Sequence, residues 1–214
     1  MKHIDTTRAI YEPGADPLDY PSSIPARPVL VRGDEAMELC PSTDFRTFFG
    51  ENGINVDALL AQNGLAPVAD RIAQIAFGAH RNIENIAWKL ANHARTARPG
   101  LSRDFLIVPG YVKNADVVAC NVSSGGHMYS GLLATRDDLP FRQYLLGTKC
   151  PVALLLLDRK QMIAMHEMAG IPKGGEGAAT FHCDLATMAV HLDDVHACAA
   201  QTYSVAVPFL SLDG

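Results

Sequence analysis

The chain has 214 residues, 48% of them hydrophobic and 19% charged, which is enough apolar material for one or two compact domains with a proper core. A net charge of −5, with Lys and Arg scattered rather than clustered, leaves no basic stripe to neutralise phosphates and excludes nucleic acid as an expected partner. The longest apolar run, residues 151–157, is far too short to span a bilayer and the first residues hold no apolar signal core, so a cytoplasmic protein off the membrane is expected.

Residues 1–28 carry many breakers (Pro13, Gly14, Pro17, Pro21, Ser22, Ser23, Pro25, Pro28) and little apolar periodicity. They read as an extended arm that wraps a surface, with a partner subunit of a homodimer as the surface it would clasp. Residues 28–32 look like a short strand. Residues 56–62, followed by Gly64 and Pro67, read as a short helix with a glycine cap. On this basis residues 1–70 form an arm and wrapping segment, and residues 71–214 the main domain.

The segment Ile72-Ala-Gln-Ile-Ala-Phe-Gly-Ala-His-Arg-Asn-Ile83 is a short apolar strand running into Gly78 and then into a helix. Such a junction gathers unpaired backbone N–H groups at one point, which can hold a small oxygen-rich group. Ile83, Ile86, Ala87, Leu90 and Ala94 then recur at the spacing of a helix with one buried stripe. Further strands are expected at residues 116–122, 131–135 and 152–157, the last lacking alternation and so buried on both faces. Between the first two lies the glycine-rich segment Ser123-Ser-Gly-Gly-His-Met-Tyr-Ser130, a candidate site wall in which His127 and Tyr129 could meet ligand. Asp158 and Gln161 make a capping box for a helix over residues 159–169, stopped by Gly170 and Pro172. Residues 180–190 and 200–207 read as two closing strands.

Strand, Phe-Gly-x-x, helix, then Ser-Gly-Leu-Leu-Ala-Thr, then an apolar strand and a short helix ending at Gly170 resemble the gamma-glutamylcyclotransferase-like superfamily over residues 72–207. A little-characterised bacterial branch with Gly-Ser-Asn at the first strand's end and a helix ending in Met-His-x-x-Glu-Gly is similar over most of the chain. The resemblance implies an α+β fold, a small mixed β-barrel or sheet flanked by helices, here with an extended N-terminal arm. It also implies transferase, lyase or hydrolase chemistry on an amide, with no cofactor and no metal. In those enzymes the signature loop grips substrate oxygens through N–H groups, and a glutamate before the helix-ending glycine moves the proton of the attacking amine. Carried over, Phe77 takes the signature tyrosine's place and Gly78 its glycine; Ala79 stands for serine, His80 for asparagine and Ala169 for the glutamate.

Alanine cannot exchange a proton, so the usual acid–base step is not available at residue 169. Helix geometry sets Glu167 on the side of Ile163, facing solvent, while Met162, Met165 and His166 share the face of Ala169. The candidate catalytic residues are therefore His166 and His80, and the candidate substrate-binding residues Phe77, Gly78, Ala79, Arg81, Asn82 and Tyr129. Cationic side chains at a helix start oppose its dipole, which an anionic, carboxylate-bearing ligand would relieve; each of these residues could equally be a turn, surface or core residue.

His182, Cys183, His191, His196 and Cys198 invite a metal reading, but strand alternation sets His182 and Cys183 on opposite faces. Five cysteines, Cys40, Cys120, Cys150, Cys183 and Cys198, with no Cys-x-x-Cys pair, fit reduced and mostly buried thiols. The functional expectation is a divergent cyclotransferase-like enzyme acting on a small amino-acid-derived amide or urea-like substrate. The alternatives are a non-catalytic small-molecule-binding or assembly protein on the same scaffold, and a true gamma-glutamylcyclotransferase.

Overall fold

A computed structural model of the chain describes residues 1–7, 24–41, 47–50, 52–77, 79–122, 128–134, 145–168, 183–192 and 197–205. Among these the fold is α+β, with a nine-stranded, mostly antiparallel sheet, a separate two-stranded sheet and three α-helices. No helix among the described residues is long and apolar enough to cross a membrane.

Strands β1 (Lys2–His3), β2 (Val29–Arg32), β3 (Glu35–Pro41) and β4 (Phe48–Gly50) make an antiparallel wing, which β2 joins to β6 (Phe105–Lys113). From β6 the order continues through β10 (Cys183–His191), β11 (Ala197–Val205), β5 (Ile72–Ala76) and β9 (Lys149–Leu157). Strand β9 pairs along its length with β6, so these five strands close into a ring. Within the ring β5 and β11 run parallel and the other pairings are antiparallel. Strands β7 (Ala115–Val122) and β8 (Met128–Ala134) form the separate hairpin.

The apolar run of β9 explains the layering. Val152, Leu154 and Leu156 join Leu106, Val108, Ile75, Val190 and Ala200 in one core on the inner side of the ring. Ala153, Leu155 and Leu157 join the outer core. That core is completed by Ile86, Ala87 and Leu90 of α2 (Ile83–Thr96) and Met162 and Met165 of α3 (Arg159–Met168). A strand covered on both sides has no polar face, and each leucine buried this way contributes about 1.5–3 kcal/mol relative to exposure. The first helix, α1 (Val56–Gln62), closes the inner core with Val56 and Leu60.

Local chemistry fixes the helix starts. Asp158 and Gln161 cap α3 reciprocally: the Gln161 N–H donates to Asp158 Oδ1 at 2.8 Å, and the Asp158 N–H to Gln161 Oε1 at 2.9 Å. The fully buried Gln161 amide also donates to the Ser102 and Asp104 carbonyls, both at 3.0 Å, which ties α3 to the segment entering β6. Gly64, at φ +65, turns the chain after α1 in the left-handed region where glycine carries no Cβ penalty.

Several expectations shift. Helix α2 does not begin at the Gly78 turn: residues Ala79–Arg81 form a 3₁₀ turn, Asn82 is the cap, and the helix starts at Ile83. Strand β8 begins at Met128, so Tyr129 sits in a strand opposite Asn121 rather than in the glycine-rich loop. The closing strands run over Cys183–His191 and Ala197–Val205, close to the expected 180–190 and 200–207. Strand β6 was not anticipated because Pro109 and Gly110 interrupt its apolar pattern. Strands β2 to β4 lie in the expected wrapping segment yet belong to the main sheet. Residues 8–23 of the arm, together with Gly78, His127, Ala169, Gly170, His182 and His196, lie outside the described residues.

Closure of the ring forces a close approach at Gly110, where an added Cβ would stand 2.9 Å from the His191 carbonyl oxygen and 2.9 Å from Val190 Cγ1. Backbone cannot yield as a side-chain tip can. Gly110→Ala should therefore destabilise the fold by about 1–3 kcal/mol in denaturant unfolding, and a change within error of zero would show that the β6–β10 contact is not tight.

Candidate functional site at the strand to helix junction

Residues 72–83 lead from β5 through the 3₁₀ turn into α2, and the candidate site is built around this passage. Phe77 is 8% exposed and packs in the inner core. The Asn82 side chain accepts the Asn85 N–H at 2.9 Å, which commits it to capping its own helix. Ala79 and Arg81 lie in the turn itself. Arg81 is half-buried, and its charge is felt at Cys150, a buried thiol pushed up to about 11 by burial and by Asp116, with Arg81 opposing.

His80 has an unexpected partner. Lys89 Nζ lies 2.5 Å from His80 Nε2, so the lysine donates to the imidazole. Burial first, and the neighbouring lysine second, push His80 down from 6.5 to about 3. Burial likewise lowers Lys89 from 10.5 to about 8. His80 is thus a neutral acceptor at physiological pH and a weak base, whereas Lys89 can take and give a proton there.

Lys89 belongs to a row. Asn82, Asn85, Lys89 and His93 recur at i, i+3, i+7 and i+11 on α2, beside the apolar stripe that packs on the sheet. Asn85 is 1% exposed although polar, so this second face is covered at that turn, while Asn82, Lys89 and His93 are half-buried. Below it Gln74, also 1% exposed, shares the outward side of β5 with Ile72 and Ala76, and its Oε1 has no hydrogen-bond partner among the described residues. An apolar stripe flanked by a regular polar row was the available sequence signal for Lys89, which sequence reasoning missed.

At the far end of the row α3 meets α2. Glu167 accepts from Arg98 at 2.5 Å and 2.8 Å and lies 3.1 Å from His93 Nε2. The Arg98 hydrogen bond, then that of His93, holds the Glu167 carboxyl down at about 2. Glu167 is exposed and shares the outward side of α3 with the exposed Ile163, as expected, while Met162 and Met165 are buried; it is also ion-paired with Arg98. His166 is half-buried and its pKa is lowered by burial. His80 contacts Lys89 in the middle of α2, and Glu167 meets His93 in its last turn. The side chain of Tyr129 lies outside the described residues.

His191, weighed above as a metal ligand, stacks on Tyr111 with ring centroids 5.2 Å apart. Among the described residues no three His, Cys, Asp or Glu side chains converge on a point. A cavity of about 480 Å³ lies not at the junction but at the other end of β5, beside Arg71 and Ala73.

The junction should show itself in the pH dependence of stability. Between 6.5 and about 3 the unfolded chain binds a proton that folded His80 refuses, so stability falls as pH drops through that window. For Lys89 the same argument makes stability rise with pH between about 8 and 10.5. Glu167 stabilises above 4.5, and its contribution is lost as pH falls toward 2. His80→Gln is therefore expected to flatten the melting temperature profile between pH 6.5 and 4.5, where the two acid windows do not overlap. Parallel profiles for the variant and the parent would refute the desolvated pair.

Comparison of the chain with protein-family models, with curated proteins and with solved structures found no match.

Proposed function

We propose that the chain is a divergent cyclotransferase-like enzyme that acts on a small amino-acid-derived amide or urea-like substrate at the β5–α2 junction. The observation that carries this reading is the 2.5 Å contact between Lys89 and His80 beside the loop where the resemblance places the substrate. Ala169 removes the usual carboxylate, and Lys89 supplies a group that titrates near neutrality in its place.

Lys89 at about 8 is roughly one-tenth neutral at pH 7, so both proton-accepting and proton-donating forms are populated. Neutral His80 accepts one of its N–H bonds and fixes the amine's direction. The remaining Lys89 valences face an attacking amine or a leaving nitrogen: the neutral form takes the nucleophile's proton, and the resulting ammonium returns it to the departing group. The uncommitted Gln74 Oε1 on the same side of β5 suits the N–H of an amide or urea. The reading also retains the cytoplasmic setting and the subunit-clasping arm as expectations.

Ala169 favours a second reading, a binding protein that keeps the pocket without the chemistry. It predicts metabolites that raise the melting temperature but are not consumed. True gamma-glutamylcyclotransferase activity would release 5-oxoproline from gamma-glutamyl amino acids, and Ala169 predicts none.

A panel of gamma-glutamyl amines, amides and ureas, followed by mass spectrometry for released amine, tests the enzymatic reading. On the substrate found, Lys89→Met should lower kcat by about 10²–10⁴ and His80→Gln by less. Unchanged kcat in both variants would remove the pair from the mechanism.

A further inference from the structure

Each of the two helices at the junction carries one carboxylate, and neither pairs with Lys89. Glu84 of α2 lies 3.7 Å from Lys2 Nζ, and Glu167 of α3 is held by Arg98 and His93. Among the described residues no ion pair includes Lys89. Its polar contact is the 2.5 Å approach to His80 Nε2 from the neighbouring 3₁₀ turn.

Two nitrogens this close cannot both be cationic, because the acceptor has to present a bare lone pair. The contact therefore requires a neutral His80 and directs one Lys89 N–H into its ring nitrogen. Ile86 and Leu90, which flank Lys89 on the helix, are fully buried in the outer core, and Asn85 one turn before it is 1% exposed. Lys89 itself is half-buried, so it stands beside a dry surface without being sealed from an incoming molecule. Burial with no counter-ion lowers it from 10.5 to about 8, and the neutral amine, with its own lone pair free, is populated at neutral pH.

We propose that Lys89 is a covalent nucleophile that condenses with the carbonyl carbon of a small aldehyde or ketone to form an imine, with His80 as the positioning residue that turns the amine's lone pair toward it. A desolvated lysine that no carboxylate holds as ammonium is the form of this side chain that attacks carbonyl groups. The lone pair forms the N–C bond as the C=O π pair moves to oxygen; the adduct loses its surplus N–H proton to water and gains one on oxygen. That oxygen then departs as water while the nitrogen pair forms C=N, and nothing is oxidised or reduced. The condensation uses the pair of the acid–base reading but does not rest on amide turnover.

Propionaldehyde with sodium cyanoborohydride at neutral pH tests this on the full chain, the hydride reagent reducing the imine to a stable secondary amine that peptide mapping locates. Early in the reaction Lys89 should be alkylated at least about tenfold faster than the exposed Lys113 and Lys160. Lys89→Arg should remove the preferential adduct and leave the rates at Lys113 and Lys160 unchanged. His80→Gln, whose amide oxygen accepts the same N–H bond, should keep the preference, whereas His80→Ala should cut it severalfold. Alkylation of Lys89 no faster than Lys113 in the parent protein would overturn the proposal without recourse to any variant. So would an equal preference in the parent and a folded His80→Ala. A Lys89 adduct without amide turnover supports the proposal whatever becomes of the acid–base reading; amide turnover with no Lys89 adduct overturns it and leaves that reading standing.

Discussion

Strand β9 is the element on which the rest of the molecule depends. It pairs with β5 on one edge and β6 on the other, and it is buried on both faces. Removing the ladder from either edge would open the ring, and placing a polar group anywhere between Val152 and Leu157 would put it into one of the two cores. The inner core fills the ring, and the outer core carries α2 and α3. Everything that positions the candidate site therefore refers back to this strand, because β5 is aligned by it residue for residue and α2 is launched from the end of β5.

Helix α2 is then asked to satisfy two surfaces. Its apolar stripe packs on the sheet, as an amphipathic helix must, but its neighbouring polar row is only partly given to water. Asn85 is enclosed, Lys89 is pressed against His80, and His93 is taken by Glu167. Two of these groups lose charge stability through desolvation, while Glu167 gains it from Arg98 and His93. A structural protein gains little from placing an amine and an imidazole in contact, since neither neutralises the other. Perturbed groups cluster at reacting sites, which is the ground on which the junction is proposed as one.

How far the sequence could be read depended on whether the deciding interaction was local. The Asp158–Gln161 box spans three residues and appears in the structure with both hydrogen bonds. The α2 stripe and the two-faced burial of β9 were equally legible, since a repeat spacing or an unbroken apolar run states its own burial pattern. Strand β6 was not legible, because its Pro109 and Gly110 look like a turn until the ring's closing partners are known. The start of α2 was misplaced by the 3₁₀ turn, which is set by the packing of residues 79–81 and has no strong sequence mark. His80 and His166 could be named as titratable candidates, but their pKa values could not, for desolvation is a property of the surroundings.

The sequence by itself determined the buried apolar strand, the Asp158–Gln161 cap of α3 and the absence of a carboxylate at residue 169, because each follows from residue type or from spacing within one element. Only the tertiary structure decided that five strands close a ring, that Lys89 meets His80, and that Arg71 is buried with its guanidinium on the Ala66, Asp104 and Leu156 carbonyls. Those outcomes join residues far apart in sequence or on different elements, and their energetics turn on exclusion of water, which no local pattern encodes.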